Sequence, residues 1–219
     1  RTNLPRKSFT HIFHLAAKRS IPLGEKEPFQ FISTNCWGTL NILRTYPNAR
    51  ILNISSSAVA QAKSVYGATK KFAECVGYQH PNYLNVRLYN VFGERQELES
   101  GAVVPHFIIS KLTKKPVTIY GEGWQTRDFT YVGDVVLELK RLMFETEEVG
   151  LVHVGYHAPV SVQDLLLAIY GHENPKIKYQ PSRSFEITNS SCPVKMQMVK
   201  YGRAEGLRLT EKWWREKLA

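Results

Sequence analysis

The 219-residue sequence contains few cysteines and no apolar run long enough to cross a membrane. Its three cysteines, Cys36, Cys75 and Cys192, form an odd set without the spacing of a metal site, so we predict reduced thiols and no metal centre. Residues 1–20 lack the charged, apolar and small-residue order of a signal peptide. Together these absences predict a cytoplasmic protein that does not bind a membrane.

Acidic residues are also scarce. The sequence has 19 Asp and Glu but 29 Lys and Arg, which gives a net charge of +10. Such a charge is typical of proteins that bind nucleic acid, a membrane surface or a small anion. The basic residues are scattered, and their densest groups are the pairs Lys70-Lys71 and Lys114-Lys115. This spread favours a small polyanionic ligand, and nucleic acid is not an expected partner.

Apolar periodicity predicts alternating strands and helices in the first half of the chain. Strands are predicted at 10–17, 51–54 and 84–89, with helices at 28–46 and 66–79 between them. This order is typical of a doubly wound parallel α/β sheet. We therefore predict a Rossmann-like domain over residues 1–95.

The second half of the chain has a more mixed pattern. Helices are predicted at 103–112, 134–144, 161–171 and 209–218, with short strands at 116–120, 151–154 and 176–179. We predict a smaller α+β part over residues 96–219, interleaved with the first domain and devoted mainly to substrate binding.

Tyr66 and Lys70 are the residues that point most directly to chemistry, since they lie four apart on one face of a predicted helix. The serines Ser55, Ser56 and Ser57 end the preceding strand, so a hydroxyl group can meet both side chains. A cation beside a tyrosine lowers its pKa, and such a tyrosine can act as a general base or acid on an alcohol. Alone, the spacing also fits an ordinary surface helix.

Seven segments provide the context for this pair. They are FHLAA (13–17), NCWGT (35–39), ISSSAV (54–59), YGATK (66–70), RLYNVFGERQ (87–96), VVPHF (103–107) and IYGEGWQTRDFTYV (119–132). In this order the chain resembles the NAD-dependent nucleotide-sugar epimerase/dehydratase family, the extended short-chain dehydrogenases, and most closely the UDP-hexose 4-epimerases. The resemblance implies NAD as cofactor, a nucleotide-diphosphate sugar as substrate, and a homodimer formed through helices 28–46 and 66–79.

The resemblance also assigns roles to matching positions. It implies that Tyr66 is the catalytic base, that Lys70 binds the nicotinamide ribose and lowers the tyrosine pKa, and that Ser56, or Ser57 in its place, is their hydroxyl partner. The remaining cofactor-side positions are Leu15, Ala16, Ala17 and Asn35. The substrate-side positions are Asn90, Val104, Thr118, Tyr120, Arg127, Arg183 and Glu186. Without the family context, the serines also fit a turn, Asn90 a turn cap and Arg127 a surface ion pair.

The sequence departs from the family pattern in several places. It has no GxxGxxG turn, whose backbone N–H groups and helix N-terminus bind the dinucleotide pyrophosphate, so the first strands of the sheet are expected to be missing before Arg1. If this sequence were complete, the resemblance would imply that NAD cannot bind in the family's manner and that the chain is not an active enzyme. The stretch 57–65 is short for a family member, and Gly133 replaces a frequent acid.

The residues after the serine distinguish the reactions of the family. Dehydratases place an acid pair there and decarboxylating members a nearby Glu, whereas here Ser57 and Ala58 follow Ser56. The resemblance therefore implies 4-epimerisation of a UDP-hexose through transient oxidation at C4.

Several alternatives to the epimerase remain open. A nucleotide-sugar 4,6-dehydratase or a keto-sugar reductase belongs to the same family. A catalytically silent relative that binds RNA or a protein is favoured by the charge and disfavoured by the presence of Tyr66 and Lys70. A last alternative is a fragment whose partner chain supplies the nucleotide-binding half.

Overall fold

The computed structural model describes residues 4–5, 7–60, 63–98, 101–182 and 188–219. The chain forms two compact units. The first unit consists of Arg1–Leu88 and Lys140–His153, and the second of Tyr89–Leu139 and Val154–Ala219. The predicted boundary between the two domains lies at residue 95. In the structure the first segment of the first unit ends at Leu88, and the unit also includes the later segment Lys140–His153.

Strands and helices alternate in the first part of the chain. They are β1 (His11–His14), α1 (Ile21–Lys26), α2 (Pro28–Phe31), α3 (Gly38–Thr45), β2 (Arg50–Ser56), α4 (Val65–Gly77) and β3 (Tyr83–Leu88). A π-helical segment, Ile32–Trp37, separates α2 from α3, so the helix predicted over 28–46 is not uniform. Helix α1 was not predicted, and it begins after Ser20, whose hydroxyl accepts from the N–H of Leu23.

The rest of the chain contains shorter strands and longer helices. They are β4 (Val91–Phe92), α5 (Val103–Leu112), β5 (Val117–Tyr120), β6 (Thr126–Arg127), β7 (Thr130–Tyr131), α6 (Val132–Phe144), β8 (Gly150–Val154), β9 (Val160–Ser161), α7 (Val162–Tyr170), β10 (Ile177–Gln180), β11 (Asn189–Ser190) and α8 (Gly202–Leu218).

Helix α8 begins at Gly202, earlier than the predicted start at residue 209. The carboxylate of Asp134 accepts hydrogen bonds from the backbone N–H groups of Lys200, Tyr201 and Gly202 at 2.8, 2.9 and 2.8 Å. These contacts satisfy donors at the start of the helix that have no partner within it. Because Asp134 is distant in sequence, local periodicity does not reveal this start.

The first unit contains a four-stranded sheet in the order β1-β2-β3-β8. Strands β1 and β2 are parallel, as are β2 and β3, with Leu52 opposite both Phe13 and Leu84. This sheet confirms the predicted parallel α/β fold. Since parallel strands end at the same edge, the residues that follow β1 and β2 are neighbours there.

The central strands form the core of the first unit, because Ile51, Leu52, Leu84 and Val86 are almost completely buried. Helix α4 packs closely on this sheet at Gly77, where an added Cβ atom would lie 1.9 Å from the ring of Tyr83.

The described residues of the second unit form three small sheets together with α5, α7 and α8. Strand β4 pairs with β7, β5 pairs with β10, and β6 lies between β9 and β11. Phe92, Phe107 and Phe129 are among its largest fully buried side chains. Among the described residues, no helix combines the length and apolar character needed to cross a bilayer.

Candidate active site

The catalytic candidates of the first unit meet at the carboxyl end of β2. Ser56 ends this strand, Tyr66 lies in the first turn of α4, and the Ser56 hydroxyl acts on Tyr66 by lowering its pKa. Lys70, one turn further along the helix, is 6 % exposed, and its Nζ donates to the carbonyl oxygen of Ile54 at 2.7 Å. The structure therefore brings Ser56, Tyr66 and Lys70 together.

Three local contacts position the start of α4. Ser64 is the N-cap, and its hydroxyl accepts from the N–H of Gly67 at 3.1 Å. The carboxylate of Glu25 in α1 accepts from the N–H of Val65 at 2.9 Å. At Gly67 an added Cβ atom would lie 2.8 Å from the carbonyl oxygen of Ala58, so glycine permits the helix to approach this turn. These contacts fix the position of the first turn of α4 and therefore the position of Tyr66.

Burial dominates the acid–base properties of the site. It raises the pKa of Tyr66 above its usual range, opposed by the hydrogen bond from Ser56 and by the positive charge of Arg19. This direction is opposite to the lowering of the pKa predicted from Lys70, because burial outweighs the contributions of Ser56 and Arg19. Burial also lowers the pKa of Lys70 to about 8. Arg19 was missed by the sequence analysis, although it lies two residues after the FHLAA segment.

The other two serines have different surroundings. Ser57 begins a 3₁₀ turn, Ser57–Ala60, and within the described part of the chain no hydrogen bond joins it to Tyr66. Ser55 is 2 % exposed and points to the opposite face of the strand, where it donates to Glu74 at 2.6 Å. Of the predicted hydroxyl partners, Ser56 is the one placed against Tyr66.

The predicted cofactor-side residues 15–17 follow β1 at the same edge of the sheet, and Leu15 is 58 % exposed. Asn35 instead is 3 % exposed. Its amide oxygen accepts from the N–H of Lys18 at 2.8 Å, and its amide nitrogen donates to the carbonyl of Lys18 and to Thr69 Oγ1, both at 3.0 Å. Asn35 thus holds the loop after β1 against α4.

A buried ion pair supports the site from within the sheet. Glu74, on α4 one turn after Lys70, is 0 % exposed and accepts from Nε and Nη2 of Arg87, both at 2.7 Å. With Ser55 as its third donor, Glu74 connects α4 to β2 and β3. The sequence analysis missed it, although Tyr66, Lys70 and Glu74 share a four-residue spacing.

The second unit contains a cavity of about 440 Å³. It is lined by Asn90, Leu98, Gly101, Ala102, Val103, His106, Thr118, Ile119, Tyr120, Gln125, Arg127, Phe129 and Val162. Four predicted substrate residues, Asn90, Thr118, Tyr120 and Arg127, are thereby brought together. The guanidinium group of Arg127 donates to the carbonyl of Thr126 at 2.8 Å. A lining that combines apolar and polar side chains with the positive charge of Arg127 suits a nucleotide.

The remaining predicted substrate residues are Val104, Arg183 and Glu186. Val104 is 2 % exposed within the core, and its neighbour Val103 lines the cavity, because consecutive residues of α5 point about 100° apart. Arg183 and Glu186 lie outside the described residues.

His106 and Gln125 were missed by the sequence analysis, although both lie within family-like segments. Nε2 of His106 accepts from the backbone N–H of Thr118 at 3.1 Å. Gln125 donates to the carbonyl of Tyr120 at 2.8 Å. Both contacts hold β5 at the wall of the cavity.

A comparison with protein families bears on this arrangement. Residues 2–153 match the model of the family described as the NAD dependent epimerase/dehydratase family. The chain belongs to this family. The match confirms the predicted family. This family is described as NAD dependent, which agrees with the predicted cofactor.

Individual relatives extend the comparison. UDP-glucuronic acid decarboxylase 4 of Arabidopsis thaliana is 32 % identical over 199 residues, which cover 78 % of this chain and 45 % of that protein. The chain thus spans about half the length of the curated relatives it matches.

Solved structures resemble this fold closely. UDP-N-acetylglucosamine 4-epimerase from Methanobrevibacter ruminantium M1, in complex with UDP-N-acetylmuramic acid, has a TM-score of 0.86 and 27 % identity, covering 95 % of this chain and 77 % of that chain. The Thermus thermophilus UDP-glucose 4-epimerase complex with NAD has a TM-score of 0.81 and 26 % identity, covering 94 % of this chain and 78 % of that chain.

Proposed function

We propose that this chain carries the catalytic and substrate-binding residues of an NAD-dependent enzyme that epimerises a nucleotide-diphosphate sugar of the UDP-hexose type at C4. The observation that supports it is the group formed by Ser56, Tyr66 and Lys70, in which a half-buried tyrosine, whose pKa the serine lowers, lies one turn from a buried ammonium group. Such a group is suited to moving a proton on and off an alcohol.

The residues at this edge of the sheet fit the ribose end of NAD. Lys70 has three N–H donors, one of which reaches Ile54, so its ammonium group can also bind ribose hydroxyls. Ala16 and Ala17 are small and allow close approach to the backbone after β1. If NAD were held there by Lys70 and the backbone after β1, it would supply a hydride acceptor for the oxidation of the sugar carbon and a hydride donor for its reduction.

Proton transfer is assigned to Tyr66. Because burial raises its pKa, the hydroxyl is protonated at neutral pH until a partner stabilises the phenolate. Ser56, by a hydrogen bond, and Arg19, by its charge, favour the phenolate without outweighing burial. In its phenolate form Tyr66 takes the proton of the sugar hydroxyl and returns it in the reverse step.

Dehydration needs a further acid–base pair. The described carboxylates around the site do not supply one, which favours epimerisation. Ser57, Ala58 and Val59 follow Ser56, and none of them carries a carboxylate. Glu74 is occupied by Arg87 and Ser55, and Glu25 by the N–H of Val65. Reversible oxidation needs no further acid.

Decarboxylation of a nucleotide-linked uronic acid is a second candidate, favoured by the similarity to UDP-glucuronic acid decarboxylase 4. Oxidation at C4 places the ketone β to the carboxylate at C5. A β-keto acid loses CO₂ when the bond between C5 and the carboxylate breaks and its electron pair passes to the ketone, forming an enolate. The Glu that decarboxylating members carry near the serine is absent after Ser56, which favours the epimerase.

The two candidates are separated by incubating the protein and NAD with UDP-glucose, UDP-galactose or UDP-glucuronic acid. Proton NMR and mass spectrometry then identify the products. Interconversion of the two hexoses at constant mass supports the epimerase. Loss of CO₂ from the uronic acid supports the decarboxylase. A chain that neither converts nor binds any of the three contradicts both.

Replacement of Arg127 by Ala is expected to weaken the binding of UDP about 10- to 100-fold, since a charge-assisted contact to a phosphate contributes about 1.5–3 kcal/mol. Arg127→Lys is expected to recover part of this loss, because its ammonium group cannot form a bidentate contact. Calorimetric titration with UDP measures the affinity. Arg208→Ala, at an exposed position of α8, is the control, and an unchanged affinity of the Arg127 variant would exclude the assigned contact.

A homodimer through residues 28–46 and 66–79 is also proposed. Phe29 and Trp37 are 84 % and 67 % exposed on this face, an amount of apolar surface that suits an interface. Trp37→Glu is expected to shift the protein toward a monomer in multi-angle light scattering. A wild-type mass of one chain at high concentration would contradict the dimer.

A further inference from the structure

The cavity arginine of the second unit is followed directly by a completely buried acid. Arg127 and Phe129 line the cavity, whereas Asp128 between them is 0 % exposed and does not. Successive side chains of an extended chain point to opposite faces. The carboxylate of Asp128 therefore lies on the side of this segment that is turned away from the cavity.

That carboxylate joins segments that are distant in sequence. Its Oδ2 accepts from the backbone N–H of His157, between β8 and β9, at 2.8 Å, and from that of Cys192, after β11, at 3.2 Å. At Gly155 an added Cβ atom would lie 3.1 Å from Oδ2 and 2.7 Å from the Cβ atom of Cys192, so these segments are closely packed. Asp128 thus holds the residue after β11 against the end of β6.

An arginine of α8 completes the surroundings of this carboxylate. Nη2 of Arg203 lies 3.8 Å from Oδ1 of Asp128, an atom without a hydrogen-bond partner among the described residues. Nε of Arg203 donates to the carbonyl of Phe129 at 3.2 Å, and its Nη2 donates to the carbonyl of Ala158. The negative charge of Asp128 is therefore compensated by a group that holds the same segments.

Strand β11, which Asp128 holds, also contacts the guanidinium group of Arg127. The backbone N–H of Thr126 donates to the carbonyl of Thr188 at 3.0 Å, and the N–H of Asp128 donates to that of Ser190 at 3.0 Å. Nη1 of Arg127 donates to the carbonyls of Thr126 and Thr188 at 2.8 and 3.4 Å. The carbonyl of Thr188 thus accepts from the backbone of β6 and from the cavity arginine.

We propose that Asp128 is a positioning residue for Arg127: from the buried side of the segment it holds β11, whose carbonyl at Thr188 helps to fix the guanidinium group at the wall of the cavity. A fixed guanidinium group binds a phosphate with less loss of conformational entropy. The importance of Asp128 for substrate binding rests on the proposed function, whereas its effect on Arg127 does not.

Two substitutions at position 128 test this role by calorimetric titration with UDP. Asp128→Ala removes the acceptor of both N–H groups and is expected to weaken the binding of UDP about 3- to 10-fold. Asp128→Asn retains one oxygen acceptor and is expected to recover part of this loss. Unchanged affinity in the variant that removes the carboxylate would overturn the proposal. If Asp128→Ala does not fold, Asp128→Asn is expected to show a smaller loss of affinity, and none would overturn the proposal.

A double-mutant cycle separates positioning of Arg127 from a general effect. In an Arg127→Ala background, a substitution of Asp128 is expected to leave the remaining affinity for UDP unchanged, because the group on which it acts is absent. An equal loss with and without Arg127 would overturn the proposal.

Asp134→Asn is the matched control for loss of stability. Asp134 is also 0 % exposed and accepts from backbone N–H groups, but at the start of α8. It is expected to lower the midpoint of urea unfolding without changing the affinity for UDP. A loss of affinity equal to that of Asp128→Asn would assign the effect to stability and overturn the proposal.

The guanidinium group of Arg127 is observed directly by NMR in protein labelled with ¹⁵N-arginine, without NAD or nucleotide. The wild type is expected to show slow rotation of the Arg127 Nη groups, with the exposed Arg44 as the reference for fast rotation and Arg127→Lys for assignment. Asp128→Asn is expected to accelerate this rotation. Fast rotation in the wild type would overturn the proposal. A wild type that does not bind UDP would contradict the proposed function, and this ligand-free measurement would still decide on Asp128.

Discussion

Replacement of Tyr66 by Phe is expected to reduce turnover of the nucleotide sugar about 10²- to 10⁴-fold, the usual contribution of a general base. Phe retains the ring and its packing but removes the hydroxyl that Ser56 contacts. The affinity for UDP is expected to remain unchanged, because the residues lining the cavity of the second unit are intact. Initial rates with NAD and the converted substrate, together with calorimetry, measure the two quantities.

Tyr78→Phe is the matched control for this change, since it removes a hydroxyl from a tyrosine that is 51 % exposed just after the same helix. Its turnover is expected to equal that of the wild type. If Tyr66→Phe retained full activity, a different group would have to carry the proton, and the assignment of Tyr66 would fail.

Replacement of Glu74 by Ala is expected to destabilise the protein by about 3–5 kcal/mol, as is typical when one partner of a buried ion pair is removed. The loss follows because Arg87 remains mostly buried, with 14 % of its side chain exposed, and loses its bidentate partner. Ser55 loses its acceptor as well. Urea unfolding followed by circular dichroism measures the change.

Glu216→Ala is a suitable control, because Glu216 pairs with Lys212 across 3.9 Å on an exposed face of α8, and exposed pairs contribute little. Little or no change is expected there. A similarly small change for Glu74→Ala would show that the pair with Arg87 is not important for stability.

The same ion pair predicts a dependence of stability on pH. Burial alone raises the pKa of Glu74, but hydrogen bonds from Arg87 and Ser55 and the charges of Arg87 and Lys71 outweigh it, so the pKa lies below its ordinary value of 4.5. The stabilisation is therefore present above about pH 4.5 and is lost as the pH falls through the lower folded-state pKa. Glu74→Gln should remove this part of the acid sensitivity.

Apolar periodicity in the sequence alone predicts the parallel sheet, and the resemblance to the family predicts that Ser56, Tyr66 and Lys70 form one group. Apolar periodicity reports the order of strands and helices, and a spacing of four places Tyr66 and Lys70 on one helical face. The strand end and the following helix are also neighbours in sequence. The segments containing Asn90, Thr118, Tyr120 and Arg127 likewise provide four residues of one cavity.

The tertiary structure alone decides the surroundings of these residues. Local spacing cannot show that Val103 faces the cavity while Val104 faces the core. Nor can it show that burial raises the pKa of Tyr66, since burial depends on segments distant in sequence.

The contacts that support the candidate active site also depend on the tertiary structure. Asn35 bonds to Lys18 and Thr69, Glu74 to Arg87, and Asp134 to the start of α8, all across long separations. Sequence patterns record periodicity along the chain, whereas hydrogen bonding and desolvation depend on which side chains packing brings together. The chemical groups of the site were therefore determined by the sequence itself, and their protonation and orientation by the fold.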